Sequence, residues 1–167
     1  GIAGFVGEFK KSEENLHLML SSIEHRGPDD QQTFFDKPFC GGMRRLSIND
    51  LEGGSQPLFN QKKDIVTFYN GEIYNYKTLR EELILKKYKF YSNSDTEVVL
   101  NAYKEWGAES FQKFNGEWSF AILDKKNNEV IICRDGVGYK PCYIFDNNNF
   151  FAFSSEIKAF YALENKI

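Results

Sequence analysis

Two pairs of short apolar runs, each pair joined by a tight turn, constrain the fold of this chain most. Glu117 to Asp124 and Glu129 to Arg134 flank Lys125 to Asn128, while Cys142 to Phe145 and Phe150 to Phe153 flank Asp146-Asn147-Asn148-Asn149. Turns this short join antiparallel neighbours and leave no room for a crossover helix. The opening Gly1-Ile2-Ala3-Gly4-Phe5-Val6-Gly7 is apolar and glycine-spaced, the pattern of a buried strand that another backbone or a ligand approaches closely. Gln31 to Asp36, Met43 to Ile48 and Asp64 to Tyr69 add strands. Helical spacing appears in Ser12 to Glu24 (Leu16, Leu20, Ile23), in Tyr76, Leu79 and Leu83, and in Val98, Val99, Ala102, Tyr103 and Trp106. Gly27 and Pro28 stop the first helix, Ser94 or Asp95 caps the third, and Gly107 ends it. Glu156 to Leu163 is a further helix. Strands at both ends, with helices between and after them, predict an α+β layered domain spanning residues 1–167.

Composition excludes several function classes. A chain of 167 residues, 41% hydrophobic and 27% charged, has material for one core and is neither disordered nor membrane-like. Twenty-one Lys and Arg against 24 Asp and Glu leave a net charge of −3, no footprint for nucleic acid or an anionic membrane. Cys40, Cys133 and Cys142 fit no zinc spacing, and so sparse and odd a set suits a reducing, cytoplasmic compartment. No apolar run reaches the ~18 residues of a spanning helix.

Three segments carry groups suited to chemistry. In Tyr69-Asn70-Gly71-Glu72-Ile73-Tyr74-Asn75, an Asn-Gly pair follows an apolar strand. By shape it is a hairpin turn. A helix pattern follows instead, so an Asn70 amide N–H and the Gly71 backbone N–H could meet at one point, as an oxyanion hole requires. Ser94-Asp95-Thr96-Glu97 reads as a helix cap, or gives Asp95 a ligand ammonium to hold. Arg44-Arg45-Leu46-Ser47-Ile48 reads as an edge strand with solvated arginines, or supplies a carboxylate clamp. Together these groups suit a zwitterionic amino acid with a side-chain carbonyl. A nucleophile with its base is missing from the set.

The ordered series Gly1-Ile2-Ala3-Gly4-Phe5, Arg26-Gly27-Pro28-Asp29, Arg45-Leu46-Ser47-Ile48, Ser55-Gln56-Pro57, Asn70-Gly71-Glu72-Ile73-Tyr74-Asn75 and Ser94-Asp95-Thr96-Glu97 resembles the glutaminase domain of class II glutamine amidotransferases, in the asparagine-synthetase branch. Arg134-Asp135, Gly138, Lys140-Pro141 and Ser155-Glu156-Ile157-Lys158 continue it. The resemblance implies a four-layer αββα sandwich of antiparallel sheets, of the N-terminal-nucleophile hydrolase type. It implies hydrolysis of L-glutamine to glutamate and ammonia through a γ-glutamyl thioester. It assigns Arg45 to the substrate carboxylate, Asp95 with Glu72 to the ammonium, Asn70 and Gly71 to the oxyanion, and Leu46 and Ile48 to backbone contacts.

The same resemblance places the nucleophilic cysteine, whose α-amine is the base, immediately before Gly1. None of Cys40, Cys133 and Cys142 can replace it, so the 167-residue form is expected to be inactive. An ATP-dependent synthetase domain is expected C-terminal to this one, and ATP and magnesium are expected only there, with no cofactor or metal here. A homodimer is compatible with the resemblance. The competing readings are a glutamine-binding or scaffolding module without catalysis, and a structural domain whose motifs are all turns and caps. Arg134 to Pro141 is expected to be a shaped turn behind the site, with an Arg–Asp pair, rather than a phosphate loop.

Overall fold

A computed structural model describes residues 1–46 and 56–166. Nine strands form two antiparallel sheets among the described residues. The first sheet contains β1 (Ile2–Val6), β2 (Asp30–Asp36), β3 (Phe39–Arg45), β8 (Tyr143–Asp146) and β9 (Phe151–Ser154), in the order β2-β3-β1-β9-β8. The second contains β4 (Leu58–Phe59), β5 (Ile65–Ile73), β6 (Gly116–Asp124) and β7 (Glu129–Arg134), in sequence order. Helix α1 (Ser12–Ser22) and a 3-10 helix (Ile157–Lys166) cover the first sheet, and α2 (Tyr76–Leu85) and α3 (Asp95–Trp106) cover the second.

The period-2 alternation of each strand builds these layers. Ile2, Met43, Phe68, Ala121, Leu123 and Phe153 pack together between the sheets. Their strand neighbours Ala3, Phe5, Cys40 and Ala152 turn the other way, onto Leu16, Met19, Leu20 and Phe160. On the second sheet Tyr69, Ile73, Trp118 and Phe120 face Leu79, Leu83, Val98 and Val99. The result is the expected αββα sandwich. Because the pairing is antiparallel, the start of β1 lies beside the ends of β3 and β9. Likewise the end of β5 lies beside the start of β6 and the end of β7.

Several boundaries differ from the sequence reading. Strand β3 begins at Phe39 rather than Met43, because Gly41 and Gly42 are strand residues. A Cβ on Gly41 would stand 2.7 Å from the Phe39 ring, and one on Gly42 would stand 2.6 Å from Leu20. β3 is also interior, between β2 and β1, and not an edge. β5 runs through Asn70-Gly71 to Ile73, so that pair is neither a turn nor a strand exit. The segment after Glu156 is 3-10 rather than α-helical. The two-residue β4 was too short for a periodicity signal. The predicted Ile48 end of the third strand, and most of the Gly53 to Pro57 loop, lie outside the described residues.

Close strand approach explains Gly4, where a Cβ would meet the Phe153 ring at 2.5 Å and the Cys40 carbonyl at 2.6 Å. Gly4→Ala is expected to cost about 1–3 kcal/mol through overpacking, read from urea unfolding. A variant as stable as the parent would show that the neighbouring strand residues give way there without cost.

Candidate active site

Gly1 is buried at the start of β1, where its nitrogen donates to the Arg44 carbonyl at 2.7 Å and its carbonyl accepts from Arg44 N–H at 2.8 Å. The terminal nitrogen thus occupies a ladder position that a peptide N–H would fill. Ile2 and Ser155 lock the other side: Ile2 N–H donates to Ser155 Oγ at 2.9 Å, and Ser155 N–H to the Ile2 carbonyl at 2.8 Å. The Arg26 side chain covers Gly1, its Cδ lying 3.1 Å from where a Cβ would stand. Arg26 also donates to Glu156 at 3.2 Å, and the same Glu156 oxygen meets His25 Nε2 at 2.7 Å. Burial first, then the charges of Arg26 and Lys140, lower the Gly1 amine pKa from 8.0 to about 5 against the pull of Glu156. Burial opposes ionisation of Glu156, but hydrogen bonds from His25, Lys158 and Arg26 outweigh it and hold its pKa low.

The second sheet contributes through the end of β5. Tyr69 N–H donates to Gln56 Oε1 at 2.6 Å, and Tyr69 O accepts from Gln56 Nε2 at 2.9 Å. Four residues on, Ile73 N–H donates to Asp95 Oδ2 at 3.0 Å. These two residues therefore turn their backbone groups away from β6. Gly71, midway between them, must do the same, so its N–H leaves the strand edge between Gln56 and Asp95. Asp95 Oδ2 also accepts from the Tyr69 hydroxyl at 2.6 Å. Burial, followed by the adjacent Asp95 charge, pushes the Tyr69 pKa far above its usual value. Ser94 is the α3 cap, its hydroxyl accepting from Thr96 N–H at 3.1 Å, which leaves Asp95 for these contacts.

Alternation places Asn70 and Glu72 on the face turned toward the first sheet, the face of Phe68. Asn70 Nδ2 is buried without a hydrogen-bond partner, and Glu72 is exposed. Gly71 is required by close approach, since a Cβ there would stand 2.5 Å from Trp118 Cα. Glu117 lies directly across from Glu72 and binds Lys140 at 3.0 Å. The Lys140 charge also contributes, after burial and Arg26, to lowering the Gly1 amine pKa.

The two arginines separate by face. Arg44 turns outward, its Nε donating to the Leu20 carbonyl at 3.2 Å and its NH1 lying 3.7 Å from Glu24. Arg45 shares the face of Met43, which packs between the sheets with Ile2. Leu46 is 53% exposed, and Ile48 lies outside the described residues.

The Arg134 to Pro141 turn forms around Asp135, which accepts from the N–H groups of Trp118, Val137, Tyr139 and Lys140 at 2.9–3.2 Å. Burial raises the Asp135 pKa, but these backbone donors prevail and lower it. The expected Arg–Asp pair is absent among the described residues. The Arg134 guanidinium instead lies over Gly138, with its Cζ 3.2 Å from a Cβ position there.

The structure thus brings Gly1, Arg45, Asn70, Gly71, Glu72 and Asp95 to one end of the sandwich. Sequence reading gave no role to Tyr69, Gln56, Arg26, Glu156 or Lys140, although Gln56, Arg26, Glu156 and Lys140 stood inside the segments that carried the resemblance. Among the described residues no group of three His, Cys, Asp or Glu could hold a metal ion. No helix among them is long and apolar enough to cross a membrane.

Residues 1–166 match the glutamine amidotransferase domain family. The chain belongs to this family. It is 40% identical over 99% of its length to asparagine synthetase [glutamine-hydrolyzing] 1 of Bacillus subtilis, of which the match covers 28%. It is 39% identical over 98% of its length to the putative asparagine synthetase [glutamine-hydrolyzing] 2 of Methanocaldococcus jannaschii, covering 35% of that protein. The chain therefore spans about a third or less of these relatives. Glutamine phosphoribosylpyrophosphate amidotransferase from B. subtilis superposes with a TM-score of 0.78 at 20% identity, over 98% of this chain and 43% of that one. That likeness shows that the two chains share a fold.

The lowered Gly1 pKa sets a pH dependence for the chain with a free Gly1 amine. An amine with a lowered folded-state pKa leaves the unfolded chain holding more protons between pH about 5 and 8.0. Stability should rise with pH across that window and fall as acid protonates the buried amine. Urea midpoints at both ends of the window should differ more for this chain than for its N-acetylated form. Equal slopes would show that Gly1 carries none of the dependence.

Proposed function

We propose that this domain hydrolyses L-glutamine to glutamate and ammonia on a cysteine placed directly before Gly1. The observation that carries the proposal is the open β5 end. There the Gly71 N–H and the unpartnered Asn70 Nδ2 adjoin each other, between a cation on one sheet and carboxylates on the other. A buried N–H donor without a partner costs about 1–3 kcal/mol, a cost recovered when a ligand oxygen accepts from it. The Gly1 nitrogen already sits in ladder geometry. One more residue would extend the strand and carry a free amine and a thiol past the last pair.

The cysteine sulfur bonds to the glutamine side-chain carbonyl carbon while its proton passes to the α-amine of the same residue. The oxyanion draws on Asn70 and Gly71. Collapse breaks the C–N bond, the proton goes to the departing nitrogen, and ammonia leaves a γ-glutamyl thioester. Water then adds to the thioester and releases glutamate and the thiol. Arg45 binds the substrate carboxylate, a role supported by its inter-sheet face, whereas Arg44 turns outward toward Leu20 and Glu24. Asp95, steadied by Tyr69 and Ile73, holds the ammonium together with Glu72. Leu46 and Ile48 offer backbone contacts only.

No cofactor enters these steps. The relatives named asparagine synthetases are much longer than this chain, which supports transfer of the ammonia to an ATP-dependent amidation on a further domain.

Three measurements test this reading. The chain beginning at Gly1 should produce no glutamate from glutamine, whereas the same chain with a cysteine added before Gly1 should. Turnover by the unextended chain would refute the mechanism. In the extended chain Asn70→Ala should lower kcat roughly 10²–10³-fold, the usual loss for an oxyanion donor. Arg45→Ala should mainly raise KM while Arg44→Ala leaves it nearly unchanged; the reverse pattern would move the clamp to Arg44.

A further inference from the structure

Ser119 lies on β6 directly opposite Asn70, with Arg134 of β7 on its other side. It is fully buried, and its hydroxyl has no hydrogen-bond partner. Two buried polar groups without partners, Asn70 Nδ2 and Ser119 Oγ, therefore stand side by side in the sheet. Backbone directions fix their geometry. Tyr69 turns its N–H away from β6, so Asn70 turns toward it. Trp118 turns toward Asp135, so Ser119 turns toward β5. The two residues form a hydrogen-bonded antiparallel pair, with Cα atoms about 5.5 Å apart and side chains on one face.

A carboxamide nitrogen has two N–H groups, and stabilising an oxyanion uses one of them. We propose that Ser119 is a positioning residue for Asn70. Its hydroxyl oxygen accepts the second N–H and turns the carboxamide so that the first meets the substrate oxygen. Ala121, the next residue of β6 on the same face, is apolar and packs in the inter-sheet core. Glu117, the other β6 neighbour on that face, is paired with Lys140, and Asn70 stands directly across from the hydroxyl on β5. The inference rests on the oxyanion role proposed above for Asn70.

In the cysteine-extended chain, Ser119→Ala should lower kcat about tenfold, the worth of one ordinary hydrogen bond, with KM changed less than twofold. Ser119→Cys keeps the shape but is a weak acceptor, and should behave like Ser119→Ala. Asn70→Ala/Ser119→Ala should be no slower than Asn70→Ala alone. A merely structural hydroxyl predicts another pattern, because deleting an unpartnered buried group leaves stability equal or higher and kcat untouched. Unchanged kcat in Ser119→Ala, or losses that multiply in the double variant, would overturn the proposal.

Lack of turnover in the extended parent would instead count against the reading of the whole site. The pair is then decided by the side-chain amide NMR signals of Asn70. They should shift in Ser119→Ala with saturating L-glutamine; identical signals would refute the pairing.

Discussion

The double hydrogen bond between Gly1 and Arg44 is the constraint on which the rest depends. It fixes the register of β1 against β3, and Ser155 holds the next residue, Ile2, from the other side. In this register Ile2 enters the inter-sheet core and Ala3 faces α1. A one-residue slip would exchange the two faces along the whole strand. The register also buries the amine beneath Arg26, and that burial first, then the Arg26 and Lys140 charges, lower its proton affinity.

The second sheet supplies its groups by leaving an edge incomplete. β4 pairs with only Val66 and Thr67, and the Gln56 side chain then takes over as the partner of Tyr69. Asp95 serves Ile73 in the same way from the start of α3. Side chains thus satisfy the edge on both sides of Gly71. The carboxylate that closes the edge is also the one proposed above to hold the substrate ammonium. Tyr69 ties the two functions together, since its backbone meets Gln56 while its hydroxyl meets Asp95.

Much of this was legible in the sequence where the signal was local. The Ser94 cap, the Gly107 stop and the Lys125 to Asn128 turn need only neighbouring residues, and each forms as read. Local signals misled where close packing overrode them. Asn70-Gly71 resembles a turn because Gly tolerates one, yet here Gly is needed so that Trp118 can approach. Cys40-Gly41-Gly42 resembles a break, yet the missing side chains admit Phe39, Phe68 and Leu20. Arg134-Asp135 suggests an ion pair, yet the carboxylate is occupied by four backbone N–H groups.

The layer type, the local turns and caps, and the family are legible in the amino-acid sequence alone. All of these follow from periodicity and from segments short enough to be recognised in order. Tertiary structure alone shows that Arg45, and not Arg44, shares the face of β3 that meets the second sheet, since that depends on how the two sheets pack. It alone showed that Asn70 and Ser119 are neighbours, since strand register links residues 70 and 119 and no local pattern does. Hydrogen-bond partners and burial arise between distant segments, and those quantities set proton affinity and the availability of a donor.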